Sequence, residues 1–172
     1  MLDIEKCCLT RYPAKVLAGP SRRIEKIDDS IRRLVEKMTD IMLKNKGVGL
    51  AGPQVGLSLR IFIIALDASR ESVRTYINPT VTPTTDQLQP MEEGCLSVPG
   101  VHAKIRRYAK CRVTATDLDG NEFTEDAEGL YARALQHEFD HLEGFTIINR
   151  MSPTGRIAHR RQLKRLEQEN KP

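Results

Sequence analysis

The chain has 172 residues, 40% hydrophobic and 29% charged, with only 11 glycines and 9 prolines; this fits one domain with a sizeable core and excludes fibrous and disordered classes. No apolar run approaches the roughly 20 residues of a membrane span, and the acids near the N-terminus are unlike an export signal, so a soluble, intracellular chain is expected over 1–172. The net charge of +4 lies wholly in residues 153–172, where Arg156, Arg160, Arg161, Lys164, Arg165 and Lys171 outnumber Glu167 and Glu169.

In chain order, Cys7 and Cys8 come first. Without an export signal the four cysteines are read as thiols rather than disulfide staples. Cys7, Cys8 and Cys111 fit packing or terminal positions, which leaves Cys95 as the one of chemical interest. The Asp28-Asp29-Ser30 start, the spacing of Ile31, Leu34, Val35, Met38, Ile41 and Met42, and the Lys44, Lys46, Gly47 stop predict a helix over 29–45. The glycine cluster from Gly47 to Leu57 lacks the Lys-Ser/Thr of a phosphate loop. It reads either as a helix stop and turn or as exposed backbone for an extended peptide, with Gln54 as a side-chain donor. Residues 60–66 are β-branched and apolar, a buried strand. Shorter strands are expected near 73–78, 102–108 and 110–117, with an Asp119-Gly120 turn into Glu122-Phe123-Thr124. From about Asp126 the pattern turns helical, with Leu130, Ala134, His137, Glu138 and His141 on or beside one face and Gly144 as a stop. A last helix over 154–169 has a sparse stripe (Ile157, Leu163, Leu166) and should lie on the surface or project from it. The expected class is α+β: mostly antiparallel strands around a central H-E-x-x-H helix, with N-terminal and C-terminal helices.

His137-Glu138-Phe139-Asp140-His141 puts two imidazoles one turn apart on one helical face, able to reach one ion. Glu138 is rotated about 100° from His137, where it can take a proton from a water beside the ion. It is the only acid that the sequence poises beside the histidine pair. Hydrolytic metal sites usually hold three protein ligands. His159 lies in the basic tail among polar neighbours and is set aside. Cys95, in Glu92-Glu93-Gly94-Cys95-Leu96-Ser97-Val98-Pro99-Gly100, is bracketed by glycines that permit close backbone approach, and a thiolate suits a dication. Spacing alone does not decide this third ligand.

Together, Gly47-Val48-Gly49-Leu50-Ala51-Gly52-Pro53-Gln54, Glu93-Gly94-Cys95-Leu96-Ser97 and Gln136-His137-Glu138-Phe139-Asp140-His141-Leu142-Glu143-Gly144 resemble, in order and approximate spacing, the three motifs of the peptide deformylase family. The resemblance implies an enzyme that removes the formyl group from the initiator methionine of new bacterial or organellar proteins. It implies one divalent ion on Cys95, His137 and His141, with Fe(2+) favoured and Zn(2+), Ni(2+) or Co(2+) able to substitute. It further implies Glu138 as general base, and the Gln54 amide and Leu96 N–H as oxyanion donors. The peptide would add its backbone to Val48, Gly49 and Gly94, with its methionine side chain among Val48, Leu130 and the stem of Arg133. The partners so implied are formyl-methionyl nascent peptides and the ribosome, docked through the basic C-terminal helix, with no membrane and no DNA; the location implied is the bacterial cytoplasm. Two departures stand out. Gly52 replaces a usual second alanine, which is expected to loosen the loop that carries Gln54. His102 stands where some members use an arginine on the substrate backbone.

A metalloprotease with the same H-E-x-x-H explains the helix but leaves Cys95 and Gln54 without roles. A non-enzymatic ribosome- or RNA-binding module explains only the tail, whose modest charge without aromatics reads more simply as a solvated face.

Overall fold

The computed structural model describes residues 3–170; the tail base Lys171 lies outside them. Helix α1 spans Asp29–Lys44, capped by the Asp28 carboxylate, which accepts from the Ser30 N–H at 3.0 Å. Its stripe of Ile31, Leu34, Val35, Met38 and Met42 is buried, mainly against strands β1 (Gly49–Ala51) and β2 (Ile61–Ile64). The chain continues through β3 (Arg74–Pro83), β4 (Leu88–Gly94), β5 (His102–Tyr108), β6 (Lys110–Thr116) and β7 (Glu122–Glu128). Five strands form one antiparallel sheet in the order β1-β2-β3-β6-β7, and β4 pairs with β5 in a separate ladder. Helix α2 (Gly129–Leu142) lies between them. It packs Leu135 and Leu142 onto Phe62, Tyr76 and Val113 of the large sheet and also touches β5. Short helices α3 (Ile147–Arg150) and α4 (Pro153–Ala158) lead to α5 (Arg160–Glu169). The α+β architecture, with antiparallel strands around the H-E-x-x-H helix, is as expected, and Cys111 points into the core with no exposure.

Several elements depart from expectation. Gly49–Ala51 is a strand, held at the sheet edge by Phe62, Ile63 and Ile64. Strand β4 has no counterpart among the expected strands. It is polar, exposed along most of its length and contains Pro90, which a two-stranded ladder with a free edge tolerates. Residues 126–128 are strand, not helix: Asp126, Ala127 and Glu128 continue the ladder with β6, and Gly129, at φ +61°, turns the chain into α2.

The last helix breaks at His159 (φ −94°, ψ 4°) into α4 and α5. Of the two expected placements, the helix lies on the surface and does not project. Leu166 is 7% exposed and packs with Val98, Val101, Ile105 and Met151, while Ile157 is 73% exposed. Tyr12 Oη donates to Glu167 at 2.6 Å, and Asn170 donates to Tyr12 O at 3.2 Å, tying α5 to the N-terminal segment. Leu166→Ala is therefore expected to lower unfolding stability by about 2–3 kcal/mol, and Ile157→Ala by almost nothing. Denaturant titration of the two variants checks the contrast.

Candidate metal centre

On α2, His137 and His141 share one face, their ring centroids 5.2 Å apart. Cys95 arrives from the end of β4, and its Sγ lies 3.3 Å from His141 Nε2. The ligand atoms of Cys95, His137 and His141 all lie within 4.8 Å of one another. An edge of a tetrahedral site with sulfur and imidazole ligands is about 3.5 Å, so the donor set and its spacing fit one ion. Burial, reinforced by His137 and Arg107, holds the His141 imidazole well below its ordinary pKa, in the neutral form a ligand needs. His137 Nδ1 donates to Glu93 Oε2 at 3.0 Å, which directs Nε2 toward the cluster.

Glu138 turns off this face toward β1. Its side chain is 4% exposed, and its Oε2 is buried without a protein partner. Burial pushes the Glu138 carboxyl up to about 7, close to where a general base works best. Gly49 makes room for it, since a Cβ there would overlap the Glu138 carboxylate. Gly49→Ala is expected to displace Glu138 and abolish most of the activity while leaving metal content unchanged, which paired turnover and elemental analysis check.

A single 3₁₀ turn after β1, Gly52–Val55, turns Gln54 inward, 1% exposed. Its Oε1 accepts from the Ala51 N–H at 2.8 Å, which fixes the amide, and its Nε2 faces Ser97 Oγ at 3.2 Å and Cys95 Sγ at 3.5 Å. The expected loosening at Gly52 is corrected by the packing. A methyl there would sit 2.5 Å from Leu59 O, so glycine is the residue this tight approach requires. Gln54, Cys95, His137 and Glu138 border a cleft of about 500 Å³. Val48, Gly49, Gly94, Leu96, Leu130 and Arg133 also line it. Val48 and Leu130 are 39% and 54% exposed, leaving apolar surface on its wall. Arg133 contributes its stem, while its guanidinium turns away to Glu93 Oε1, Gln89 O and Ile105 O.

The sequence poises Glu138 alone beside the histidines, but the structure brings a second acid, Glu93, against His137. Glu93 is, with Arg107 and Asp140, the group that sequence reasoning missed. The Glu93 carboxylate accepts from Arg107 Nε at 2.7 Å and Nη2 at 3.0 Å, as well as from Arg133 and His137. Burial alone would raise its pKa, but His137 and Arg107 hold it far below the usual carboxylate range. Arg107 Nη1 also donates to Asp140 at 2.8 Å, and Asp140 accepts from Arg150. One network, buried at Glu93, Arg107, Arg133 and Asp140 and reaching the surface at Arg150, thus joins β4, β5, α2 and α3 behind His137. A signal existed in β5. Arg107 falls in phase with the inward-facing Ala103 and Ile105, a charge at a core position that demands a buried partner.

A model of the polypeptide deformylase family matches residues 7–156. Peptide deformylase 1 of Clostridium perfringens is 46% identical over 136 residues, covering 78% of this chain and 90% of that protein. The peptide deformylase of Pseudomonas aeruginosa is 37% identical over 157 residues, 91% and 94% of the two chains. Among solved structures, the peptide deformylase of Plasmodium falciparum superposes with a TM-score of 0.91 at 33% identity, covering 94% of this chain and 95% of that one. That of Legionella pneumophila gives 0.86 at 36% identity, covering 95% and 98%. With a family match over most of its length and relatives this similar along nearly their whole chains, the protein belongs to the polypeptide deformylase family, a family of enzymes.

Proposed function

We propose that the chain hydrolyses the N-terminal formamide of formyl-methionyl polypeptides, releasing formate and a free amine. The observation that carries this reading is the juxtaposition, at one cleft, of a Cys-His-His donor set, a buried carboxyl with a raised pKa and an inward-facing amide donor. Cys95, His137 and His141 would hold one divalent ion. A thiolate with two imidazoles suits iron(II), zinc, nickel or cobalt, and iron(II) is proposed on the family resemblance. Bound there, the ion supplies Lewis-acid polarisation and makes a water acidic enough to attack near neutral pH.

The protein groups perform the remaining steps. Val48, Gly49 and Gly94 take the peptide backbone as an added strand, and the methionine side chain lies among Val48, Leu130 and the Arg133 stem. Glu138 accepts a proton from the attacking water as its oxygen bonds to the formyl carbon. Gln54 Nε2 and the Leu96 N–H donate to the developing oxyanion, each such donor worth about 3 kcal/mol. When the C–N bond breaks, its electron pair stays on the amine nitrogen, and Glu138 returns the proton there.

Chelation is expected to abolish formate release from a formyl-methionyl peptide, and reloading with iron(II), zinc, nickel or cobalt to restore it. Undiminished release by a metal-free protein would refute the proposal. Cys95→Ser should bind the same ion far more weakly or change the preferred ion, because a hydroxyl is a poorer and harder ligand; competition with a chromogenic chelator measures this.

We further propose a cytoplasmic bacterial setting and docking at the ribosome. No described helix is long and apolar enough to cross a membrane. Helix α5 exposes Arg160, Arg161, Lys164 and Arg165, a stripe suited to phosphate contacts. Ribosome affinity should fall with added salt and with Arg160→Glu/Lys164→Glu, turnover of short peptides being unchanged.

A further inference from the structure

The proposed activity leaves one feature of the cleft unused. Besides its apolar wall, the cleft is lined by Arg11, Lys46 and His102, all exposed. Among the described residues none of the three takes part in an ion pair. The carboxylates on the same lining are Glu93 and Glu138, both buried, and Glu92, which is exposed and stands in cross-strand register with Lys104. The surface bases therefore outnumber the surface acids where a substrate must pass.

Their positions relative to the reacting end are fixed by backbone. Thr10 N–H donates to Gln54 O and Tyr12 N–H to Ser97 O, each at 2.8 Å, which seats Arg11 beside the loop that carries Gln54 and the turn after Cys95. His102 pairs with Gly94 at the end of the β4–β5 ladder, so close that a Cβ on Gly94 would lie 3.0 Å from the imidazole. Lys46 precedes Gly47 and Val48 on the approach to Gly49, the residue against Glu138. It adopts φ +56°, a conformation that favours glycine, yet keeps a long cation at the cleft. A peptide added alongside β1, with its formyl end at Glu138 and its first residue beside Val48, carries its third residue about 7 Å further on, toward the turn that holds Lys46. In an extended chain the first and third side chains share a face.

We infer that Arg11, Lys46 and His102 form a subsite that selects an acidic side chain at the third residue of the formyl-peptide. This rests on the deformylase reading of the cleft.

The test uses C-terminally amidated formyl-Met-Ala-Xaa peptides with Xaa as Glu, Gln or Lys, so that no terminal carboxylate competes. KM should be about three- to tenfold lower for Glu than for Lys, with kcat equal and the gap closing in about 0.5 M salt. The double variant Arg11→Gln/Lys46→Gln should narrow the gap. Calorimetry with the deformylated Met-Ala-Xaa amides should give the same order of affinity, independently of turnover. Equal KM values and equal product affinities would overturn the subsite while formate release from the Gln peptide still stood. Absence of formate from the Gln peptide would instead strike the deformylase reading, and the calorimetric order would still decide the subsite.

Discussion

Replacing Glu138 with alanine is expected to lower turnover of a formyl-methionyl peptide by about 10²–10⁴-fold while one ion per chain remains bound. The two effects separate because Glu138 stands beside the donor set rather than in it. Cys95 and His141 approach each other at 3.3 Å without it, and His137 is oriented by Glu93. The fold should also survive. The Glu138 carboxyl is buried with Oε2 unpartnered, so its removal relieves a desolvated polar group instead of stranding a partner. Elemental analysis, a thermal midpoint and steady-state rates on the same preparation check all three statements. A Glu138→Ala protein with near-normal turnover would remove Glu138 from the mechanism.

Glu93→Ala should do the reverse, damaging the fold and the metal site together. The substitution leaves Arg107, itself 5% exposed, with Asp140 as its remaining anion and takes the anion from Arg133. Breaking a buried pair by removing one partner costs about 3–5 kcal/mol. The imidazole of His137 also loses the acceptor that orients it, which should weaken metal affinity about 10–100-fold. Glu93→Gln keeps an acceptor without the charge and should fall between the wild type and Glu93→Ala in both readouts. Denaturant titration and chelator competition measure them. If Glu93→Ala were as stable as the wild type and held its ion as tightly, the network would have no part in supporting the site.

How far the sequence carried the structure depended on whether local periodicity recorded burial. The stripe from Ile31 to Met42 faces a core and was legible, as was the alternation of β5 and β6, each with one covered face. The spacing of His137 and His141 placed both imidazoles on one face, because a helix is regular over one turn. Strand β4 escaped because its one fully buried side chain is a charged residue, Glu93, and no apolar alternation marks it. The Glu93–Arg107–Asp140 network escaped for a related reason. Its partners are set by cross-strand register and by the packing of α2, neither of which leaves a trace at short sequence separation. The break at His159 carries no proline or glycine at the break itself, so the stripe through Ile157, Leu163 and Leu166 read as one helix.

On the proposed function, this cleft is expected to hydrolyse a formamide and to leave peptide bonds alone. The most direct measurement is a product balance from formyl-Met-Ala-Ser incubated with the metal-loaded protein in ¹⁸O-labelled water, followed by mass spectrometry. One formate carrying the label is expected for each Met-Ala-Ser with a free amine, every internal bond intact. Cleavage at an internal bond, or loss of the formyl group without label in the formate, would contradict the proposed function.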